Sequence, residues 1–507
     1  MTTTPSQSIE LPATRQLIDG EWSDAPVDLP TELENPNTGE VVARMKATAD
    51  ADVERVAAAA ARVHETGEWL NVPAEQRAAI LESVADALDA AAPRIAALES
   101  FGSAAVIGTT AMLATVINGG SFRLAAGLLR QGRLMHRVDV ELSQSDPKAQ
   151  AEVHRLPWGP SLSLVPWNAP APQGCHKIAN SLAVGAPTIL KPSEWAPYGT
   201  TVMAEVVSAA LDAAGAPKGT FQVVQGNSHV GGMLVKDARI RAISLTGGLA
   251  AGRAIAAVAA EDFKATQLEL GGNNPVVVLD DADLDFAANG IVELMTQLNG
   301  QWCRALGRLI VQGNIYDDLM AKVMDRLAQV RLGDSLSPDS DMGPMVHSGH
   351  LAMLRGRIEE YVSQGGVTHS STPLPDLAGN FLAPTLITGV TSEAAQEEMF
   401  GPVATVHQVS DDAEAVRVAN GTPFGLEGYV FAGNEERGLA VARQVRAGGV
   451  KVNGSTMLSL NLMAPRPAWG LSGLGVEGTT ETFDFFTNSR VVGVENFSAA
   501  GLKAVFG

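Results

Sequence analysis

Four short apolar runs, Ser161-Leu-Ser-Leu-Val-Pro-Trp167, Thr188-Ile-Leu190, Phe221-Gln-Val-Val-Gln225 and Ile240-Arg-Ala-Ile-Ser-Leu245, alternate with helical stretches that begin after Pro172, Pro197 and Asn227. An Ala-rich helical stretch continues from Leu249. Strand and helix in alternation call for a parallel sheet covered by helices. The layout is α/β and Rossmann-like, the kind that holds a nucleotide at the C-terminal ends of its strands.

Working outward, a second alternation begins at Pro275-Val-Val-Val-Leu279, passes through a helix near Asp283 to Asn299 and resumes at Arg308-Leu-Ile-Val311. It predicts a second α/β domain. Upstream, Asp50 to Leu129 is Ala-rich with helical spacing, as in Val53, Val56, Ala60 and Ile80, Leu81, Val84, Leu88. Arg133 to Arg155 alternates polar and apolar residues around a polar centre, a hairpin that projects from the globular part, and the last twenty residues are also β-like. The expected division is 1–132 with 154–270 for the nucleotide domain and 271–465 for the catalytic domain. Residues 133–153 and 480–507 form a β segment for oligomerisation, since open strand edges are covered by pairing with another subunit.

The 507 residues exceed the size at which one core keeps growing, so more than one domain is expected. A net charge of -20 repels phosphate backbones and anionic lipid, which excludes nucleic acid and membrane surfaces as main partners. The N-terminus lacks the basic and apolar regions of a signal peptide. Apolar stretches such as Ala256 to Ala260 fall far short of the roughly 20 residues of a membrane span, so a cytoplasmic location is expected. Cys175 and Cys303 are the only cysteines, too few for a disulfide framework. The pair His347-Ser-Gly-His350 lacks zinc spacing, and no metal is expected.

Several segments carry groups suited to chemistry, each with a plainer reading beside it. Asn299-Gly-Gln-Trp-Cys303-Arg-Ala-Leu-Gly-Arg308 puts a cysteine between a helix and a strand, either as a nucleophile or as a small buried hydrophobe. Glu269 lies between two leucines before Gly271-Gly272, a setting that raises a carboxyl pKa and suits a general base, or a capping glutamate at a strand end. Asn168 ends the first run, where an amide can donate to an oxyanion or simply make a turn. Lys191-Pro-Ser-Glu194 follows the second run, where an acid can bind ribose hydroxyls. Gly247-Gly-Leu-Ala-Ala-Gly252 joins a strand to a helix whose N–H groups face an anion, or makes a tight turn. Gly473-Leu-Gly-Val-Glu-Gly478 matches G-x-G-x-x-G but follows no strand and precedes no βαβ unit, so it is not a dinucleotide fingerprint.

Together and in order, these segments resemble the aldehyde dehydrogenase superfamily from about Ile18 to Val492. Asn35-Pro-Asn-Thr-Gly-Glu40, Glu397-Glu-Met-Phe-Gly-Pro402, Asn420-Gly-Thr-Pro-Phe-Gly-Leu426 and Ser472-Gly-Leu-Gly475 extend the match. The resemblance implies NAD-dependent oxidation of an aldehyde to a carboxylic acid, with NADP the possible alternative. Cys303 is then the nucleophile that forms a thiohemiacetal and a thioester, Asn168 an oxyanion donor, and Glu269 the base for hydrolysis, with Lys177 and Glu477 as its proton relay. It implies a cofactor site of Val165, Pro166, Trp167, Lys191, Ser193 and Glu194, with Trp167, Lys191 and Glu194 on the adenosine side. Gly226, Gly247, Gly248, Gly252, Leu270 and Gly271 lie along the turns, with Glu398 and Phe400 at the nicotinamide riboside. Ala169, Gln173, His176, Gln297 and Trp302 are implied for the substrate tunnel. A homodimer or homotetramer is implied as well.

Three departures from the family's pattern shape the expectations. Thr246-Gly-Gly-Leu249 lacks two hydroxyls usual beside the pyrophosphate, each worth about 1 kcal/mol of grip. Asn168-Ala-Pro-Ala-Pro-Gln-Gly-Cys-His176 has small or polar residues where relatives acting on simple aldehydes carry aromatics, which suggests a wider or more polar tunnel and a medium or bulky substrate. Trp302 before Cys303, and Pro465-Arg-Pro-Ala-Trp469, leave the tunnel mouth open to reading. A CoA-acylating enzyme and a turnover-deficient binding protein of the same fold remain as alternatives, and Glu269 argues against the first.

Overall fold

The structure, a computed structural model, describes residues 9–138 and 151–493. Its largest sheet has eight strands. Five are parallel in the order Phe221–Val223, Thr188–Lys191, Ser161–Leu164, Ala242–Thr246 and Ala265–Glu269. The first four carry the runs from which the fold was read.

Side chains along these strands alternate between two cores, as the pleat requires. Ile189 and Ile243 face a cluster with Val53, Val56 and Ala60 of the helix Asp50–Thr66. Leu190 and Val223 face another with Ile178 and Leu182 of the helix Pro170–Ala183 and with Leu81 and Leu88 of the helix Ala74–Ser103.

Two features of this sheet lie beyond the local sequence pattern. Arg15–Ile18 adds antiparallel beside Phe221–Val223, and Glu21–Asp24 beside it in turn. At the other edge Gly473–Leu474 pairs antiparallel with Leu268 and Glu269. Gly473 has φ +145°, and a Cβ there would stand 1.9 Å from the Leu268 carbonyl oxygen. The glycine of the rejected fingerprint therefore serves close backbone approach.

The second sheet has seven strands, in the order Val367–His369, Thr385–Thr388, Val403–Val409, Leu306–Gln312, Asn274–Val278, Glu427–Phe431 and Gly449–Val452. All neighbours are parallel except the first pair. Val277, Ile310 and Val430 face one core, and Val276, Leu309 and Val311 the other.

A small third sheet pairs Met135–Arg137 with Glu152–Pro157, and the latter with Thr487–Val492, all antiparallel. The centre of the expected hairpin and the end of the expected C-terminal segment, residues 139–150 and 494–507, lie outside the described residues.

One helical stretch departs from expectation. Ile107–Arg130 runs for 24 residues through a π turn at Ala114–Asn118, with a mean hydropathy of 1.3 in its most apolar window. By length and composition alone it is long enough to cross a membrane, longer than any apolar run expected from the sequence. Half of that window is buried within the protein.

Candidate active site

Parallel strands deliver their C-terminal ends to one side of a sheet, and here those ends open onto a single cavity of about 1170 Å³. Ser161–Leu164 leads to Val165, Pro166, Trp167 and Asn168; Thr188–Lys191 leads to Ser193 and Glu194. Ala242–Thr246 leads to Gly247 and Gly248, and Ala265–Glu269 to Leu270 and Gly271. The second sheet contributes Cys303, just before Leu306–Gln312, and Glu398 with Phe400, before Val403–Val409.

One arm of the cavity suits a dinucleotide. The helix Leu249–Glu261 starts at Gly248, whose extended backbone offers no side-chain cap, so the first N–H groups of the helix remain for a bound anion. A Cβ at Gly248 would meet open space, and the buried Thr246 hydroxyl beside it has no partner. An orphaned donor at a helix N-terminus fits a pyrophosphate. Lys191 Nζ donates to the Pro192 carbonyl at 3.0 Å and lies 3.8 Å from Glu194; burial lowers its pKa while Glu194 opposes the shift.

Trp167 packs edge-on to Phe400, with ring centroids 5.2 Å apart. Phe400 itself has φ +51°, and its carbonyl accepts a 2.8 Å hydrogen bond from His350 Nε2. Gly272 N–H donates to Glu398 at 2.8 Å, and a Cβ on Gly271 would stand 2.0 Å from the other carboxylate oxygen. Burial pushes the Glu398 carboxyl up to about 8, with the Gly272 bond opposing it.

The loop carrying Cys303 is held in a costly conformation. Leu298 and Asn299 have φ +48° and +60°, a left-handed pair that surrounding structure must fix. The Asn299 amide donates to the carbonyls of Ala104 at 2.7 Å and Pro344 at 2.9 Å, and accepts from Gly343 N–H at 2.8 Å. Asn274 Nδ2 donates to the carbonyls of Cys303 at 2.9 Å and Ala305 at 2.7 Å. Asn168 Nδ2 donates to the Gln301 carbonyl at 2.9 Å. An amide nitrogen has two hydrogens, so one N–H of Asn168 remains.

The charges around the thiol form a connected set. Burial pushes the Cys303 thiol up to about 12; Arg304 opposes this, and Glu269, Glu398 and Glu477 add to it. Glu269 is raised to about 7, first by burial and then by Glu477, against Arg304, Arg466 and Lys177. Arg304 Nη2 donates to Glu269 at 3.3 Å, and its Nη1 pairs with Glu427. Lys177 Nζ donates to Glu477 at 2.9 Å and to the Ser244 hydroxyl at 2.8 Å. Burial would raise the Glu477 carboxyl, yet Lys177, Arg466 and His176 hold it low.

Cys303, Glu269, Asn168 and Glu477 thus meet in one cavity, with Lys177 behind Glu477. Ala169, Gln173, His176 and Trp302 line it as well. Besides Lys177, three of the residues expected at the site do not. A Cβ on Gly226 would lie 2.7 Å from Val230, and one on Gly252 2.6 Å from Leu270, so both glycines serve packing behind the cavity. The Gln297 amide donates to Glu293 at 2.6 Å, and it is the next residue, Leu298, that reaches the wall.

Beside the expected Ala169, Gln173 and His176, the wall is largely apolar. His176 is half-buried beside Thr482, its Nε2 3.0 Å from that hydroxyl, and its pKa falls to about 3, mainly through loss of solvent. Much of the wall comes from Leu113, Val116, Ile117 and Leu124 of Ile107–Arg130, together with Met457 and Leu462. Those helix positions recur at helical spacing, a stripe distinct from the core stripe of Phe122, Ala125, Ala126 and Leu129. Arg304, Asn274 and Glu427 were also missed, since nothing local to them signals partners so distant in sequence.

The aldehyde dehydrogenase family model matches residues 22–492. The glutarate-semialdehyde dehydrogenase of Pseudomonas aeruginosa is 32% identical over 467 residues, covering 91% of this chain and 93% of the relative. A betaine aldehyde dehydrogenase of Cereibacter sphaeroides is 31% identical over 485 residues, covering 95% and 97%. Among solved structures, betaine aldehyde dehydrogenase from Staphylococcus aureus in complex with NAD+ is similar with a TM-score of 0.89 at 29% identity, covering 96% of each chain.

Proposed function

Since the chain belongs to the aldehyde dehydrogenase family, we propose that it carries out NAD-dependent oxidation of an aldehyde to a carboxylic acid through a thioester on Cys303, hydrolysed with Glu269 as base. The observation that carries this reading is the meeting of Cys303, the free N–H of Asn168 and the half-ionisable Glu269 in a cavity whose other arm suits a dinucleotide.

Cys303 Sγ attacks the aldehyde carbon as its own proton leaves to solvent, and Glu269, a buried carboxylate whose raised pKa makes it a competent base near neutral pH, stays ionised for the later hydrolysis. The new oxyanion is held by the free Asn168 N–H and the Cys303 backbone N–H, donors fixed beforehand by the Gln301 and Asn274 contacts. When bound, NAD supplies the acceptor for the hydride lost as thiohemiacetal becomes thioester. Glu269 then takes a proton from water as that water attacks the thioester, and the acid leaves with the thiol restored. Lys177 and Glu477 form the route by which Glu269 returns its proton.

Trp167, Lys191 and Glu194 would hold the adenosine side, the first turn of Leu249–Glu261 with Thr246 the pyrophosphate, and Glu398 with Phe400 the nicotinamide riboside. Glu194 repels a 2'-phosphate, which favours NAD over NADP. Purified protein should form NADH and carboxylic acid in equal amounts from an aldehyde without CoA, with kcat/KM for NADP about ten-fold lower or worse. A strict need for CoA, or no NADH from any aldehyde, would remove this reading.

Arg304 is a positioning residue, because its guanidinium favours the ionised form of Glu269. Only the ionised form takes a proton, so activity rises as pH climbs through about 7. Arg304→Gln should raise the Glu269 pKa further and move the acid limb of the kcat profile up by about one pH unit. An unmoved limb would show that Arg304 does not set the ionisation.

We assign the protein to the cytoplasm as a homodimer or homotetramer. Among the described residues, the outer strands Met135–Arg137 and Thr487–Val492 of the third sheet each leave a backbone edge, which supports pairing with another subunit. Sedimentation at the mass of a single chain would contradict this.

A further inference from the structure

Next to Cys303 the cavity opens into an arm bounded by Ile107–Arg130, by the start of Pro170–Ala183 and by residues 457–466. The π turn Ala114–Asn118 sets Val116 and Ile117 on its wall, opposite Met457 and Leu462. The apolar surface continues outward past the wall. Leu460 is 74% exposed and Leu462 61%, and Leu458 and Met463 beside them are exposed too. Exposed side chains of this kind, close together at a cavity mouth, mark a place where apolar surface is covered in function.

Acids stand beside the arginines of this arm. Arg123 pairs with Asp86 at 2.6 Å and Asp89 at 2.7 Å. Arg304 pairs with Glu269 and Glu427, and Arg466 faces Glu477 at 3.9 Å. A substrate carboxylate would have to compete with these acids for a guanidinium. A quaternary ammonium fares no better, since cation binding of that kind needs several aromatic faces and, among the described residues lining this side, Trp302 is the one tryptophan, tyrosine or phenylalanine. Trp167, Trp195 and Phe400 lie with His347 and His350 on the dinucleotide side.

We propose that this arm is a tail site for an uncharged hydrocarbon aldehyde, seated between Val116, Ile117 and Leu124 on one side and Met457 and Leu462 on the other. It rests on the aldehyde chemistry proposed above and sets this chain apart from relatives named for charged substrates. The carbonyl reaches Cys303 while the tail lies along the apolar wall towards Leu460. Each methylene taken from water favours the longer substrate, so selectivity grows with chain length until the tail leaves the cavity.

The test is a comparison of kcat/KM for straight-chain alkanals from propanal to decanal, for glutarate semialdehyde and for betaine aldehyde, all with NAD. The expected result is a rise of about three- to four-fold per methylene over the shorter members, with both charged aldehydes about 100-fold or more below decanal. Val116→Asp and, separately, Leu462→Asp should each lower the decanal-to-propanal ratio by about ten-fold or more. A charged aldehyde equal to or better than decanal would overturn the tail site, as would an unchanged ratio in both variants. Failure of every aldehyde, short alkanals included, would instead overturn the oxidation chemistry itself.

Discussion

Cys303→Ala is expected to lower aldehyde-dependent NADH formation by about 10⁴-fold or more, because it removes the atom on which the covalent path depends. No other side chain can take its place. Cys175, the one remaining cysteine, is fully buried in the helix core, and burial together with Glu99 raises its pKa well above the ordinary thiol range. The loop should survive the change, since Asn274 and Asn299 hold it through backbone contacts that alanine keeps. Steady-state NADH production with a saturating alkanal checks this, and an alanine variant with more than a few per cent of wild-type turnover would break the mechanism.

Glu269→Gln should give a different pattern. Thioester hydrolysis loses its base, which costs about 10²- to 10⁴-fold in steady-state turnover. Hydride loss precedes hydrolysis, so rapid mixing should show up to one equivalent of NADH per active site before the reaction stalls. The pH profile carries the same signature. The wild-type enzyme gains activity as Glu269 ionises around pH 7, and the glutamine variant should lose that limb. Fast steady turnover without a burst, with the acid limb intact, would assign the base elsewhere.

The parallel core was legible because it is written locally. Runs such as Thr188-Ile-Leu190 and Ile240-Arg-Ala-Ile-Ser-Leu245 sit between helical stretches, and they become neighbouring strands of one sheet. Edge pairings were not legible, because nothing in Gly473-Leu474 announces a partner about 200 residues earlier. The site divides in the same way. Cys303, Glu269 and Asn168, each ambiguous alone, were drawn together by their resemblance to a family's order of motifs. Arg304 could not be found by that route, since its meaning lies in contacts with Glu269 and Glu427, which only the folded chain brings near.

Gly226 and Gly252 differ. The family resemblance implies both as cofactor residues, and in the structure they admit Val230 and Leu270 at close range behind the cavity. The wall of the tail arm was missed for a third reason. Ile107–Arg130 carries two apolar stripes, one for the core and one for the cavity, and an Ala-rich helix pattern does not say which face meets an active site.

The central claim is a thioester on Cys303, and the most direct measurement is intact-mass and peptide analysis of the Glu269→Gln variant, quenched in acid after mixing with NAD and decanal. The expected result is one acyl group per chain, in step with the NADH burst and located on the peptide that carries Cys303. One equivalent of NADH with an unmodified Cys303, or an acyl group on any other residue, would contradict it.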